Sequence, residues 1–328
     1  MMKRLFSSIV TTLVFLIIIA VALEILTRFA ADDGMQYDLE MWKYARDVKQ
    51  ISGDPLIGHE HAPNRHAHLM GVDFQTNSKK LRDREIPYDK GTEKLRIMML
   101  GDSLTVGWGV PVEDTFAKRI ERLYAADGVN AVVINSGVGN YNTIQEVEYF
   151  LTEGYKYHPN VVVLNFFVND AEPVIPERPP SALMRTCYAC VFVIGRADAL
   201  KRRFLGEQNW YEYYLSLYGD GRAKGWLDAN EAIRRLADYC KANNIALLIA
   251  SLPELHDVQN YRLQRITDFV HEAADRYGAA FVDLLPYLKD HPSSTLWVTP
   301  PDPHPNALAH LLIAQGLYDA LKKEPMKP

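Results

Sequence analysis

From Arg96 onward the chain repeats one pattern: a short apolar, strand-forming run followed by a segment with helical spacing. The apolar runs cover residues 97–100, 132–134, 161–167, 246–251 and 280–285, and the helix-like segments about 115–126, 144–154, 228–243 and 260–277. Strands that alternate with amphipathic helices cannot pair as hairpins. They pair in parallel, and the crossing helices cover both faces of the sheet. Five such runs predict a flavodoxin-like three-layer α/β sandwich with a five-stranded parallel sheet. A sheet of this kind holds its ligands outside the carboxyl ends of the strands. The chemistry must therefore be sought where the strands stop.

Four polar turns stand at such ends. The first run stops at Gly101-Asp102-Ser103 and the second at Asn135-Ser136-Gly137-Val138-Gly139-Asn140. The third stops at Asn169-Asp170, and Asp302-Pro303-His304-Pro305-Asn306 precedes a helix over 307–322. Taken singly, each reads as a helix cap or an ordinary loop, with Ser103 or Asp102 as one N-cap and Asn306 as another. Taken together they hold the groups of a serine hydrolase. A serine hydroxyl needs a base to take its proton, and an imidazole does so best when a carboxylate fixes its tautomer. Pro303 and Pro305 keep Asp302 and His304 out of the helical region, so one stiff, extended segment presents both. An acyl oxyanion needs fixed donors. The candidates are the Ser103 N–H, a backbone N–H in the Gly139–Asn140 turn, and the Asn169 amide. Asp102 and Asp170 read as local hydrogen-bond acceptors. Thr105 stands where a G-x-S-x-G elbow would need glycine.

These four blocks, in this order, resemble those of the SGNH/GDSL-type hydrolases, here Gly101-Asp102-Ser103-Leu104, Asn135 to Asn140, Val168-Asn169-Asp170 and Asp302 to Asn306. The resemblance covers about residues 95–325. It implies Ser103 as nucleophile, His304 as base and Asp302 as its orienting carboxylate. Ser103, Gly139 or Asn140, and Asn169 would be the oxyanion donors. It implies an esterase acting on an acyl ester, with acetyl as the expected acyl group, of a carbohydrate or lipid, with no metal and no cofactor. Two other readings stay open: an O-acyltransferase acting on exported polysaccharide, and a non-catalytic binding protein on the same fold.

Ahead of this region, Lys3 and Arg4 precede an apolar stretch over residues 5–23 without a charge. As a helix it would be roughly 28 Å long, close to the thickness of a bilayer's hydrocarbon core. Residues 1–30 read as an uncleaved signal-anchor. Ala20-Val21-Ala22 keeps a cleaved signal peptide as the alternative. Positive charge before the helix predicts a cytoplasmic N-terminus and a catalytic domain facing the periplasm, on the inner membrane. Residues 31–94 read as a linker and lead-in to a hydrolase domain over 95–328. Within the lead-in, His59, His61, His66 and His68 fall inside ten residues. With no matching cysteine or acidic set they read as surface or structural residues rather than metal ligands.

Residues 171–227 are long for a connection between strand and helix, and read as an insertion capping the site. The insertion carries Cys187 and Cys190, which could pair in an oxidising compartment. An apolar patch followed by Lys201-Arg202-Arg203 could rest on a membrane, and aromatic residues crowd around Trp210. With a net charge of −5, nothing in the composition points to a nucleic-acid footprint, and no nucleic-acid partner is expected.

Overall fold

The computed structural model describes residues 2–176, 179–205, 210–300 and 302–323, with side chains described outside 2–3 and 198–205. The Lys201-Arg202-Arg203 side chains thus lie outside the described residues. The N-terminal stretch is one helix, α1 (Met2–Leu26), continued by a π-helical turn over Thr27–Ala31. Its apolar window is unburied by the rest of the protein, and it is long and apolar enough to cross a membrane.

Most of the segment from 31 to 94, expected to be a linker and lead-in, is a folded layer. It holds α2 (Tyr37–Asp47), then β1 (Lys49–Ile51) paired antiparallel with β2 (His59–His61). A hairpin of β3 (His66–Leu69) and β4 (Val72–Gln75) follows. Tyr44, Val48, Leu69, Met70 and Phe74 from this layer form a core with Val106 and Trp108. Its strands are three or four residues long, too short to show a period of two. It also buries polar residues, among them Glu40, His59, His61 and Arg82, which a search for apolar runs passes over.

The strand–helix alternation folds as expected. The elements are β5 (Leu95–Leu100), α3 (Ser103–Val106), α4 (Phe116–Ala126), β6 (Ala131–Asn135), α5 (Thr143–Thr152) and β7 (Val161–Phe166). There follow α6 (Tyr188–Leu205), α7 (Trp210–Tyr218), α8 (Lys224–Ala242), β8 (Ala246–Ser251), α9 (Gln264–Tyr277) and β9 (Ala280–Asp283). The chain continues through α10 (Leu285–Leu288), β10 (Trp297–Thr299), β11 (Asp302–Pro305) and α11 (Ala307–Lys323). The sheet order is β6-β5-β7-β8-β9, all parallel.

Successive residues of a strand point to opposite faces. In β5, Met98 and Leu100 join a core with Val147 of α5, Ile233 of α8 and Val270 of α9. Ile97 and Met99 join the other core, with Ile120 of α4 and Ile313 of α11. The chain leaves β5 for β6 on one side and returns to β7 on the other. The crevice at this switch in strand order lies between the ends of β5 and β7. Ser103 follows β5 there and Asn169 follows β7.

Candidate active site

The turn out of β5 is tight enough to dictate its sequence. Gly101 has φ of +156°, and a Cβ built there would lie 1.9 Å from Thr105 Oγ1. Asp102 caps α3, its Oδ1 accepting the Leu104 N–H at 2.8 Å. Ser103 is thereby set at the first helical position, where an N–H has no partner within the helix. It lines a cavity of about 430 Å³ together with Asn140, Asn169, Asp302 and His304.

The Asp-Pro-His-Pro segment forms β11, paired antiparallel with β10, so the extended backbone expected from the two prolines is present. Asn306 caps α11, accepting the Leu308 and Ala309 N–H groups at 3.0 and 3.1 Å. Its own amide donates to the Thr295 and Trp297 carbonyls, which ties the end of β11 to the start of β10. His304 Nε2 lies 2.9 Å from Ser103 Oγ, and His304 Nδ1 lies 2.5 Å from Asp302 Oδ1. Asp302 is buried. Its Oδ1 also accepts the His304 backbone N–H at 3.1 Å, and its Oδ2 accepts Trp108 Nε1–H at 3.1 Å. An ionised carboxylate only accepts, so Nδ1 bears the ring proton and Nε2 is left with its lone pair toward the serine.

The remaining sequence candidates separate. The Gly139 N–H donates to Tyr44 Oη at 2.9 Å and faces that hydroxyl. Asn140, next in the turn, has φ of +67° and lines the cavity. Asn169 lines the cavity too, and its Nδ2 donates to Asp102 Oδ2 at 3.3 Å. Asp102 and Asp170 accept local hydrogen bonds, as the sequence suggested; Asp170 takes the Phe167 N–H at 3.0 Å. Burial raises the carboxyl pKa of Asp102, and holds those of Asp170 and Glu146 well above the usual range.

Residues of the lead-in, outside the four motif blocks, brace the site. Buried Arg82 donates to the Val106, Gly107 and Val110 carbonyls at 3.0, 2.6 and 2.8 Å. This pins the loop after Ser103. Burial pushes the guanidinium down to about 10. Lys49 Nζ donates to the Gly139 carbonyl at 2.5 Å and to Asn140 Oδ1 at 3.0 Å.

The four histidines divide by strand. His59 and His61, alternating on β2, are buried and tied to the Gly139 turn, directly or through Tyr44. Burial holds both near a pKa of about 3. His66 and His68 are exposed beside Asp73. Among the described residues no group of three His, Cys, Asp or Glu side chains is placed to hold a metal ion. In the insertion, Cys187 and Cys190 form a disulfide. Trp210 and Tyr214 of α7 line the cavity, while Tyr218 is buried and donates to the Val168 carbonyl.

A sequence model described as the GDSL-like lipase/acylhydrolase family matches residues 99–312, and the chain belongs to that family. It is accordingly an ester-bond hydrolase of the GDSL/SGNH kind. No curated protein matches the chain. Among solved structures it is similar to the psychrotrophic esterase EstA from Pseudoalteromonas sp., at 16% identity and a TM-score of 0.45, over 70% of this chain and 98% of that one. It is also similar to Axe2, an acetylxylan esterase from Geobacillus stearothermophilus, at 12% identity and 0.47, over 71% and 96%. A third is LAE5, an alpha/beta hydrolase enzyme from the metagenome of Lake Arreo, at 13% identity and 0.48, over 72% and 97%.

Proposed function

We propose that the protein is a serine esterase in which Ser103 attacks the acyl carbonyl, His304 takes its proton and Asp302 orients the imidazole. The observation that carries this reading is the unbroken line from Ser103 Oγ to His304 at 2.9 Å and on to Asp302 at 2.5 Å. The Ser103 Oγ–C bond forms as the hydroxyl proton passes to Nε2. The same proton then leaves with the alcohol as the tetrahedral adduct collapses to an acyl-enzyme. Water, deprotonated by His304, then attacks the acyl carbon; the bond to Ser103 Oγ breaks as Nε2 returns the proton to Oγ, and the carboxylic acid leaves.

The oxyanion is received by the Ser103 N–H, the Asn140 N–H and the Asn169 amide. Asn140 takes this role in preference to Gly139, whose N–H is already used by Tyr44. The second hydrogen on Asn169 Nδ2 remains for substrate after the bond to Asp102. The acyl group is small, acetyl in the simplest case, on a carbohydrate or lipid alcohol. The helix α1 anchors the enzyme, with Lys3 and Arg4 in the cytoplasm and the catalytic domain in the periplasm.

Ser103→Ala tests the assignment. Hydrolysis of p-nitrophenyl acetate is expected to fall to background while the fold, read by circular dichroism, is kept. Undiminished turnover would sink the nucleophile and everything built on it.

A further inference from the structure

The cavity and the apolar N-terminal helix are close neighbours. The helical stretch that carries the span ends at Ala31. Tyr37, six residues on, lines the cavity, and its ring stacks on that of His304 with centroids 6.0 Å apart. Six extended residues reach at most about 20 Å.

The link is also braced. Glu24 in α1 accepts the Tyr188 and Ala189 N–H groups, at 3.2 and 2.9 Å, at the first turn of α6. Arg28 pairs with Glu24, donates to the Thr186 carbonyl at 2.8 Å, and lies over the Tyr188 ring at 4.2 Å. Trp42 of α2 donates to the Met184 carbonyl and meets Tyr188 edge to face, with Arg46 over the Trp42 ring. Trp, Tyr and Arg in one cluster at the end of an apolar span are the residues that anchor proteins at a membrane–water boundary.

Helix α6 is itself apolar over Tyr188–Ala197. One side is spent on α2, where Gly195 comes so close to Asp38 that a Cβ would lie 2.4 Å from Oδ2, and Arg196 pairs with the same carboxylate. Another side is open: Val193 is 51% and Ile194 56% exposed. Leu183, just before the helix, is 65% exposed, and Phe29 at the end of the span 87%. This open apolar surface is continuous with the root of a membrane helix, which identifies what covers it.

We propose that α6 lies in the bilayer interface beside α1, with Val193 and Ile194 in the lipid. The cavity mouth is then held at the membrane surface, where it takes esters carried by amphiphiles of that leaflet. The proposal rests on the reading of α1 as a membrane anchor.

The test uses the full chain in phosphatidylcholine vesicles containing doxyl-labelled lipid. Single cysteines carrying an environment-sensitive fluorophore are placed at Val193, at Phe15 in α1, and at the exposed Lys224. The native cysteines are disulfide-bonded or buried and do not compete. Quenching at 193 and 15, but not at 224, is expected. Quenching at 15 alone overturns the docking of α6 and leaves the anchor standing, whereas none at 15 refutes the anchor itself.

The V193D/I194D double variant gives the second readout. Placing two carboxylates in the interface is expected to slow hydrolysis of vesicle-held hexadecyl acetate, an acetyl ester of a membrane amphiphile followed by release of acetate, roughly tenfold. Dissolved p-nitrophenyl acetate is expected to turn over at the wild-type rate. Unchanged rates on both esters, or equal losses on both, overturn the proposal.

Discussion

Tyr44→Phe removes one oxygen, and the structure says what that oxygen does. Tyr44 is fully buried. Its Oη accepts the Gly139 N–H at 2.9 Å and bonds His61 Nε2 at 2.6 Å. His61 Nδ1 faces the Lys80 carbonyl at 3.0 Å, which can only accept. The ring proton is therefore on Nδ1, and Nε2 accepts from the Tyr44 hydroxyl. Four groups are thus linked in one direction: Gly139 N–H to Tyr44, Tyr44 to His61, and His61 to Lys80.

Phenylalanine leaves two buried groups without partners, the Gly139 N–H and His61 Nε2. Each costs about 1–3 kcal/mol, so the expected loss of stability is about 2–6 kcal/mol. It would be read as a lower urea midpoint at unchanged slope. The turn keeps Lys49 on the Gly139 carbonyl and on Asn140 Oδ1, so it shifts without coming free. Losing an oxyanion donor outright costs about 100- to 1000-fold in kcat. A displaced Asn140 donor should therefore cost about 10- to 100-fold, with KM little changed because the oxyanion exists only beyond the ground state. Steady-state kinetics on p-nitrophenyl acetate measures this. Lower stability with wild-type kcat would remove the Gly139–Asn140 turn from the oxyanion site. Wild-type stability would refute the chain of hydrogen bonds.

Asp302→Asn tests the tautomer argument. An asparagine at 302 must set its NH₂ against one donor, Trp108 Nε1–H or the His304 backbone N–H; with its oxygen kept on Trp108 the NH₂ faces His304 Nδ1. The ring proton is then forced onto Nε2, facing Ser103, and kcat should fall by about 10³–10⁴ with the fold intact. A loss under tenfold would refute the orienting role. The buried histidines give a pH prediction. His61 sits at about 3 in the folded chain against 6.5 unfolded, so the unfolded state takes up its proton first as the pH falls. The stabilisation is complete above pH 6.5 and is lost as the pH drops toward 3, by about 1.4 kcal/mol per unit. His61→Gln should therefore shrink the fall in stability between pH 7 and pH 5 by about 2 kcal/mol relative to wild type. The raised carboxyls of Glu146 and Asp170 act in both proteins and cancel, and an identical fall in the two would refute the assignment.

What the sequence made legible was whatever repeats or is stiff. The parallel sheet was readable because its strands are continuous apolar runs at regular spacing. Asp302 and His304 were readable because two prolines announce an extended segment. Residues joined only by long-range hydrogen bonds were not. Arg82 contacts carbonyls more than twenty residues ahead, and nothing in Leu81-Arg82-Asp83 marks it as buried. The His59/His61 alternation did signal one shared face of a strand, but not that this face meets the Gly139 turn eighty residues on. Choosing between Gly139 and Asn140 likewise needed Tyr44, which lies in a stretch with no motif.

One short helix connects these separate pieces. Tyr37 and Tyr44 are seven residues apart, two turns, so α2 presents both on one side. Tyr37 stacks on His304, and Tyr44 holds Gly139. Trp42, about 140° around the helix from Tyr37, reaches the Met184 carbonyl ahead of α6. The eleven residues of α2 therefore touch the proposed base, the turn bearing the proposed oxyanion donor, and the start of the insertion. All of them precede the segment matched by the family, which begins at residue 99. The strand ends carry the proposed reacting groups, and a helix six residues from the end of the apolar span packs against two of the segments that bear them.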